Sequence, residues 1–122
     1  MPKILVVDDE IEVADFLCNF LKRFKASSQK ASNGLMALEE YDKIKPDWTF
    51  LDIKMPDMDG FEVLGKLKEK DPNVKVIMIT GSEDKESQQK AKDMGAVDYI
   101  VKPIDLEELH AKIKTYILNN ET

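Results

Sequence analysis

Short apolar runs alternate with stretches of helical periodicity along the whole chain, and this alternation restricts the fold more than any other feature of the sequence. The runs begin near Ile4, Trp48, Val74 and Val97. The runs at Ile4 and Trp48 are apolar or β-branched on both faces, which is typical of strands covered on two sides. A fifth stretch, Ser27–Ala31, is polar. It fits only an edge strand, because it has little to bury.

The stretches between these runs carry apolar residues at spacings of three and four, the pattern of amphipathic helices. The first stripe runs from Val13 to Phe24, and the second begins at Leu35. A last helix is predicted after Asp105, which has Glu108 in capping-box spacing. The predicted apolar stripe of that helix comprises Leu106, Leu109, Ile113, Tyr116 and Ile117.

Alternating strands and helices predict an α/β fold, because each right-handed crossover lays a helix on a parallel sheet. We expect a five-stranded parallel sheet of order 2-1-3-4-5 with five helices, a flavodoxin-like three-layer sandwich. The apolar first and third strands then lie centrally and the polar second strand lies at the edge. At 122 residues, the chain is predicted to be one domain spanning residues 1–122.

Composition excludes several classes of function. The formal net charge of -6 argues against direct nucleic-acid binding, which requires a basic face. No apolar run approaches the roughly 20 residues of a membrane-spanning helix, so membrane insertion is not expected. Cys18 is the single cysteine, so no intrachain disulfide can form. The simplest location is the cytoplasm.

Polar residues follow or end four of the predicted strands, and the topology brings them to one rim of the sheet. They are Asp8 and Asp9, then Asp52, Thr80 and Lys102. Each alone has an ordinary structural explanation, such as capping a helix or opening a turn. Together they lie at the carboxyl edge of a parallel sheet, beside the switch point between the first and third strands, where such folds bind ligands.

Three acids at one rim require a cation. Two carboxylates about 4 Å apart repel by about 4 kcal/mol at an effective dielectric near 20. Magnesium suits such a site, with manganese as an alternative ion, because it needs few carboxylates and leaves positions for phosphate oxygens. The residues therefore predict phosphoryl transfer to Asp52 as the nucleophile. Lys102 would neutralise the phosphoryl oxygens and the Thr80 hydroxyl would donate to one of them.

The sequence resembles the receiver domain of two-component response regulators, the fold typified by the chemotaxis protein of that class. The resemblance covers the chain from Lys3 to about Leu118. Four motifs, in order and at the expected strand ends, carry it: Val-Val-Asp-Asp-Glu at 6–10, Asp-Ile-Lys-Met-Pro-Asp-Met-Asp-Gly at 52–60, Ile-Thr-Gly at 79–81, and Gly-Ala-Val-Asp-Tyr-Ile-Val-Lys-Pro at 95–103.

The resemblance implies that Asp52 accepts a phosphoryl group from the phosphohistidine of a partner kinase. It implies that Asp8 and Asp9 hold magnesium. Asp9 and Asp52 would be direct ligands, and the backbone carbonyl of Lys54 would be a third. Lys54 and Ser82 also occupy positions that in this family shape water access, and so the lifetime of the phosphoryl-aspartate.

The same resemblance implies a conformational switch. Thr80 would move toward the phosphoryl group while the ring of Tyr99 turns inward to fill the vacated space. Lys102 would bind a phosphoryl oxygen, and the peptide bond before Pro103 is expected to be cis.

The expected function is phosphorelay signal transduction rather than independent enzymatic turnover. The expected partners are a sensor histidine kinase or a histidine phosphotransfer protein, and a downstream protein bound through the face of the fourth helix, fifth strand and fifth helix. We expect a monomer or weak dimer. Two alternatives stay open: a relay intermediate that passes the phosphoryl group onward, and a partner-binding module whose phosphorylation is incidental.

Two other classes fit the residues less well. A phosphatase of the haloacid dehalogenase type needs Asp-x-Asp at its first strand end, whereas Lys54 stands two residues after Asp52. A flavodoxin-type cofactor binder needs a phosphate loop after the first strand, where Asp8, Asp9 and Glu10 would repel phosphate.

Overall fold

A sheet of five parallel strands forms the centre of the computed structural model, which describes residues 2–81 and 85–118. The strands are β1 (Lys3–Val7), β2 (Ser27–Ala31), β3 (Trp48–Asp52), β4 (Val76–Thr80) and β5 (Asp98–Val101). Their spatial order is β2-β1-β3-β4-β5, and every neighbouring pair is parallel. The predicted α/β architecture and strand order are therefore confirmed, including the polar β2 at the edge.

The helices lie in the crossovers between the strands and after β5. They are α1 (Ile11–Lys22), α2 (Gly34–Ile44), α3 (Gly60–Lys70), α4 (Lys85–Asp93) and α5 (Leu106–Lys112), and α5 continues as a π-helical segment over Ile113–Leu118. Asp105 caps α5 as expected, since its carboxylate accepts hydrogen bonds from the Glu107 and Glu108 amides. No helix within the described ranges is long and apolar enough to cross a membrane.

The sheet separates two clusters of buried side chains. One lies on the side of α1 and α5 and includes Leu17, Phe50 and Ile113. The other lies on the side of α2 and α3 and includes Leu51 and Leu64. Because β1, β3 and β4 contribute alternate residues to each cluster, both faces of these strands are apolar. Strands covered on two sides therefore deliver their carboxyl ends to one rim with little freedom to shift.

Two predicted core positions are wrong. Leu35 is 59% exposed and Leu106 is 51% exposed, and each lies in the first turn of its helix. The buried residues of α2 are instead Gly34, Ala37 and Tyr41. A small residue is needed at Gly34, because a Cβ atom there would lie 2.9 Å from the Cβ atom of Met58 in the loop after β3.

Candidate functional site

The carboxyl ends of the strands bring the predicted polar residues to one rim. Asp8 follows β1, Asp52 ends β3, Thr80 ends β4 and Lys102 follows β5. The first three side chains are buried although polar. Their backbones are fixed by the sheet, and Lys102 is joined to β4 because its amide donates to the Thr80 carbonyl at 2.7 Å. The acidic residues and the lysine are thus held on rigid elements.

The Lys102 ammonium group lies among three carboxylates. Its Nζ atom is 2.7 Å from Glu10 Oε1, 3.2 Å from Asp8 Oδ2 and 3.6 Å from Asp52 Oδ2. One positive charge therefore faces three acidic groups, so the site carries a negative excess whenever all three are ionised. This excess is the feature expected of a cation-binding rim.

The electrostatic environment shifts the ionisation of these groups. Burial, and then the charge of Asp8, raise the pKa of Asp52 from 3.8 to about 7, although Lys102 opposes the shift. The hydrogen bond from Lys102 lowers the pKa of Glu10. Burial lowers the pKa of Lys102, but the hydrogen bond to Glu10 and the charges of Asp52 and Asp8 outweigh burial and raise it. The lysine is therefore a fixed positive charge, whereas Asp52 is poised to bind a proton or a cation.

One buried oxygen atom of the acidic cluster is paired only with the Lys102 ammonium group among the described residues. Asp8 Oδ1 accepts from the Glu10 amide at 2.8 Å. Asp8 Oδ2 lies in ion-pair range of Lys102 but has no hydrogen-bond partner among the described residues. Carboxylate oxygens of Asp8, Glu10 and Asp52 all lie within 4.8 Å of one another. An all-oxygen donor set with three carboxylates around one ammonium group fits a hard divalent cation such as magnesium.

The other two predicted metal ligands lie at the edge of this cluster. Asp9 is exposed, and its oxygens are not among those grouped within 4.8 Å. Asp9 and Lys54 line a common groove of about 530 Å³ together with Ile53 and Met55. The structure therefore brings Asp9 and Lys54 to one side of the rim, while Asp8 and Asp52 lie at its centre with Lys102.

Glu10 is the site residue that the sequence reasoning missed. It stands in the acidic run that ends β1, yet only the two aspartates of that run were predicted to act at the rim. The available signal was its position directly before the first helix, where glutamate is a poor cap. The structure shows no side-chain capping bond from Glu10 and places its carboxylate against Lys102 instead.

The predicted switch residues lie on neighbouring strands. Thr80 ends β4, and Tyr99 on β5 pairs with Met78 of β4, two residues before Thr80. The half-buried Tyr99 ring lies 5.4 Å from the Lys92 ammonium and 5.3 Å from that of Lys112. The peptide bond between Lys102 and Pro103 is cis, as the resemblance implies. Ser82, the second predicted lifetime residue, lies outside the described residues.

The loop after Asp52 is fixed by its own polar residues and by Gly60. The Gly60 amide donates to the Ile53 carbonyl at 2.7 Å, and a Cβ atom at Gly60 would lie 2.3 Å from the Asp52 carbonyl oxygen. Asp59 caps α3. Asp57 accepts from the Gly34 and Leu35 amides at 3.0 Å each. These two carboxylates therefore shape the loop and lie outside the acidic cluster.

Comparison with known proteins identifies the family. The family model described as "Response regulator receiver domain" matches residues 4–114. Sporulation initiation phosphotransferase F of Bacillus subtilis is 36% identical, and the match covers 94% of this chain and 93% of that protein. Chemotaxis protein CheY of Listeria monocytogenes is 40% identical, and the match covers 89% of this chain and 92% of that protein.

Solved structures agree with this assignment. A CheY-like receiver domain protein from Methanospirillum hungatei has a TM-score of 0.90 at 30% identity, with 99% of this chain and 97% of that chain covered. CheY in the CheX-CheY-BeF3-Mg+2 complex from Borrelia burgdorferi has a TM-score of 0.86 at 28% identity, and the match covers 94% of this chain and 89% of that chain. Sequence, fold and the acidic rim agree, and the chain belongs to the response regulator receiver domains of two-component signal transduction.

Proposed function

We propose that Asp52 is the phosphoacceptor of this receiver domain. The observation that carries the proposal is the position of its buried carboxylate, at the end of β3 with Lys102 Nζ 3.6 Å away and Asp8 in the same acidic cluster. Among the acids of the rim, Asp52 ends a central strand covered on both faces. Such a rigid support suits a nucleophile that must meet a phosphorus atom in line.

The reaction transfers a phosphoryl group from the phosphohistidine of a kinase or phosphotransfer protein. An Asp52 oxygen forms a bond to phosphorus while the bond between phosphorus and the imidazole nitrogen breaks. The electron pair stays on the imidazole, which takes up a proton from water. Lys102 neutralises charge on the phosphoryl oxygens, and the Thr80 hydroxyl donates to one of them. The receiver is thus the acceptor of a signal and has no independent turnover substrate.

Magnesium is the proposed cofactor, with manganese as a substitute. Asp8, Asp9, Asp52 and the backbone carbonyl of Lys54 are its proposed ligands. The excess negative charge of the cluster, in which three carboxylates face one ammonium group, supports a cation there. When bound, the ion supplies positive charge that lowers the repulsion between Asp52 and an incoming phosphoryl group.

The proposed output is a change in a partner-binding face formed by α4, β5 and α5. Thr80 and Tyr99 are the proposed switch pair, and Lys54 and Ser82 are proposed to set the lifetime of the phosphoryl-aspartate. The structure of a related CheY in complex with CheX supports a protein partner. A cytoplasmic location and a monomeric or weakly dimeric state belong to the same proposal.

A second candidate function is a relay step that passes the phosphoryl group to a phosphotransfer protein. It is favoured by the 36% identity to a protein named sporulation initiation phosphotransferase F, of which 93% is covered. In this role the Asp52 phosphoryl group would return to a histidine rather than be lost only to water.

The test uses a small acyl phosphate with magnesium and intact-protein mass spectrometry. We expect one added phosphoryl group per chain in the wild type and none in Asp52→Asn. Asp57→Asn makes the same chemical change five residues later in the same loop, and we expect it to keep the adduct. An adduct retained in Asp52→Asn would overturn the assignment.

A further inference from the structure

Glu10 makes the shortest contact to the lysine of the site. Its Oε1 atom is 2.7 Å from Lys102 Nζ, whereas the Asp52 oxygen is 3.6 Å from the same nitrogen. The Glu10 side chain is 61% exposed and that of Lys102 is 17% exposed. The glutamate therefore reaches Lys102 from the solvent side, while Asp8 and Asp52 face it from the interior.

The local backbone explains why Glu10 is available for this contact. Glu10 directly precedes α1 with extended backbone dihedral angles, φ -86° and ψ 104°, the position where a Ser, Thr, Asp or Asn side chain would cap the helix. Its side chain makes no capping bond. Its amide donates to Asp8 Oδ1 at 2.8 Å, which fixes its backbone beside the site. The carboxylate is therefore directed at Lys102 from an anchored position.

We propose that Glu10 is a positioning residue that restrains Lys102 and thereby slows phosphorylation of Asp52. This inference rests on the proposed function. To bind a phosphoryl oxygen at Asp52, the Lys102 ammonium must move toward Asp52 and lengthen or break its contact with Glu10. Glu10 competes with the phosphoryl group for the same donor, and its negative charge also opposes the approach of an anionic phosphodonor.

The test compares Glu10→Gln with Glu12→Gln. Both residues are exposed and line the same cavity beside Lys102, so both substitutions remove one negative charge from the same region. Of these two glutamates, only Glu10 has an ion pair with Lys102 among the salt bridges of the described residues. Comparison with Glu12→Gln therefore separates the effect of releasing Lys102 from the effect of removing a nearby negative charge.

The rate of phosphorylation is measured with a small acyl phosphate and saturating magnesium. We expect Glu10→Gln to be faster than Glu12→Gln by about twofold to fivefold, the range of an exposed ion pair. We expect this difference to shrink as salt is added, because salt screens exposed pairs. A role in folding alone would not produce that salt dependence.

Three results would overturn the proposal. Equal rates for the two variants would show that only general charge matters. A slower Glu10→Gln would show that Glu10 aligns Lys102 for the reaction. Magnesium binding that is weaker in Glu10→Gln than in Glu12→Gln, measured by calorimetry without phosphodonor, would make Glu10 a metal ligand. If the wild type accepts no phosphoryl group, the proposed function itself is wrong. Equal rates in two variants that are both phosphorylated would instead contradict only the role proposed for Glu10.

Discussion

Asp52 bears a charge that opposes folding when no cation or phosphoryl group is bound. Burial and the neighbouring Asp8 raise its pKa from 3.8 to about 7, so the ionised form is disfavoured in the folded protein. The penalty is absent below pH 3.8, grows as pH rises, and is complete above about pH 7. The uncomplexed site therefore costs most stability above about pH 7.

Asp52→Asn is predicted to stabilise the metal-free protein at pH 8 and to have little effect near pH 4. A pKa moved from 3.8 to about 7 corresponds to about 4 kcal/mol, and solvent screening at the open rim reduces this to about 2 kcal/mol. Urea unfolding in the presence of a chelator, at several pH values, measures the difference. A pH-independent difference would contradict the assigned origin of the penalty.

Sequence predicted the central residues of the site better than its outer ones. Asp8, Asp52 and Lys102 lie together because strand ends fix them, and strand ends follow from apolar runs. Glu10 was missed because the direction of its side chain depends on the backbone conformation between β1 and α1. Its contact with Lys102 joins residues 92 positions apart, and no local pattern encodes such a pair.

At the scale of elements, the loop after β3 is joined to the beginning of α2. Two amides of the first turn of α2, Gly34 and Leu35, donate to the Asp57 carboxylate. Asn33 caps the same helix through the Met36 amide. Free amides at a helix start favour a negative charge. These hydrogen bonds lower the pKa of Asp57.

Asp57→Ala is predicted to lower the free energy of unfolding by about 1 kcal/mol, the usual loss for a helix cap. Asp57→Asn keeps an acceptor oxygen and should lose less. Thermal and urea unfolding of both variants, with Asn33→Ala for comparison, measure the effect. Equal stability of Asp57→Ala and the wild type would mean that solvent replaces the bonds without cost.

The contact of this loop with α2 also explains why the helical pattern predicted the wrong residue at the start of α2 to be buried. Periodicity favoured Leu35 as a core residue, but the loop passes so close to the start of α2 that glycine is buried there. The polar β2 was predicted at the edge because it has little to bury, and it lies at the edge of the sheet. The π-helical end after α5 had no sequence signal that we can name.

For the whole molecule, the alternation of apolar runs predicted a parallel sheet, and the polarity of the second strand together with the apolar first and third strands predicted the strand order. The alternation did not predict which helices lie on which face of the sheet. The sheet separates the cluster of Leu17, Phe50 and Ile113 from the cluster of Leu51 and Leu64. Side chains on opposite faces of the strands contact different helices.

The losses in free energy of unfolding caused by substitutions on opposite faces of the sheet are predicted to be additive. Ile113→Val should cost about 0.5–1.5 kcal/mol and Leu64→Ala about 2–5 kcal/mol. The double variant should equal their sum within about 0.5 kcal/mol. Urea unfolding of the two single variants and the double variant gives the coupling energy. A coupling above about 1 kcal/mol would show that the sheet transmits packing changes between the faces.

This division of the core also bears on how such a protein can diverge. A lineage can alter the helices on one face of the sheet while the opposite face preserves enough stability to keep the rim intact. The helices on the two faces can then change at different rates. Separate cores on a shared sheet thus allow the helical surfaces to change without rebuilding the acidic rim around Asp52.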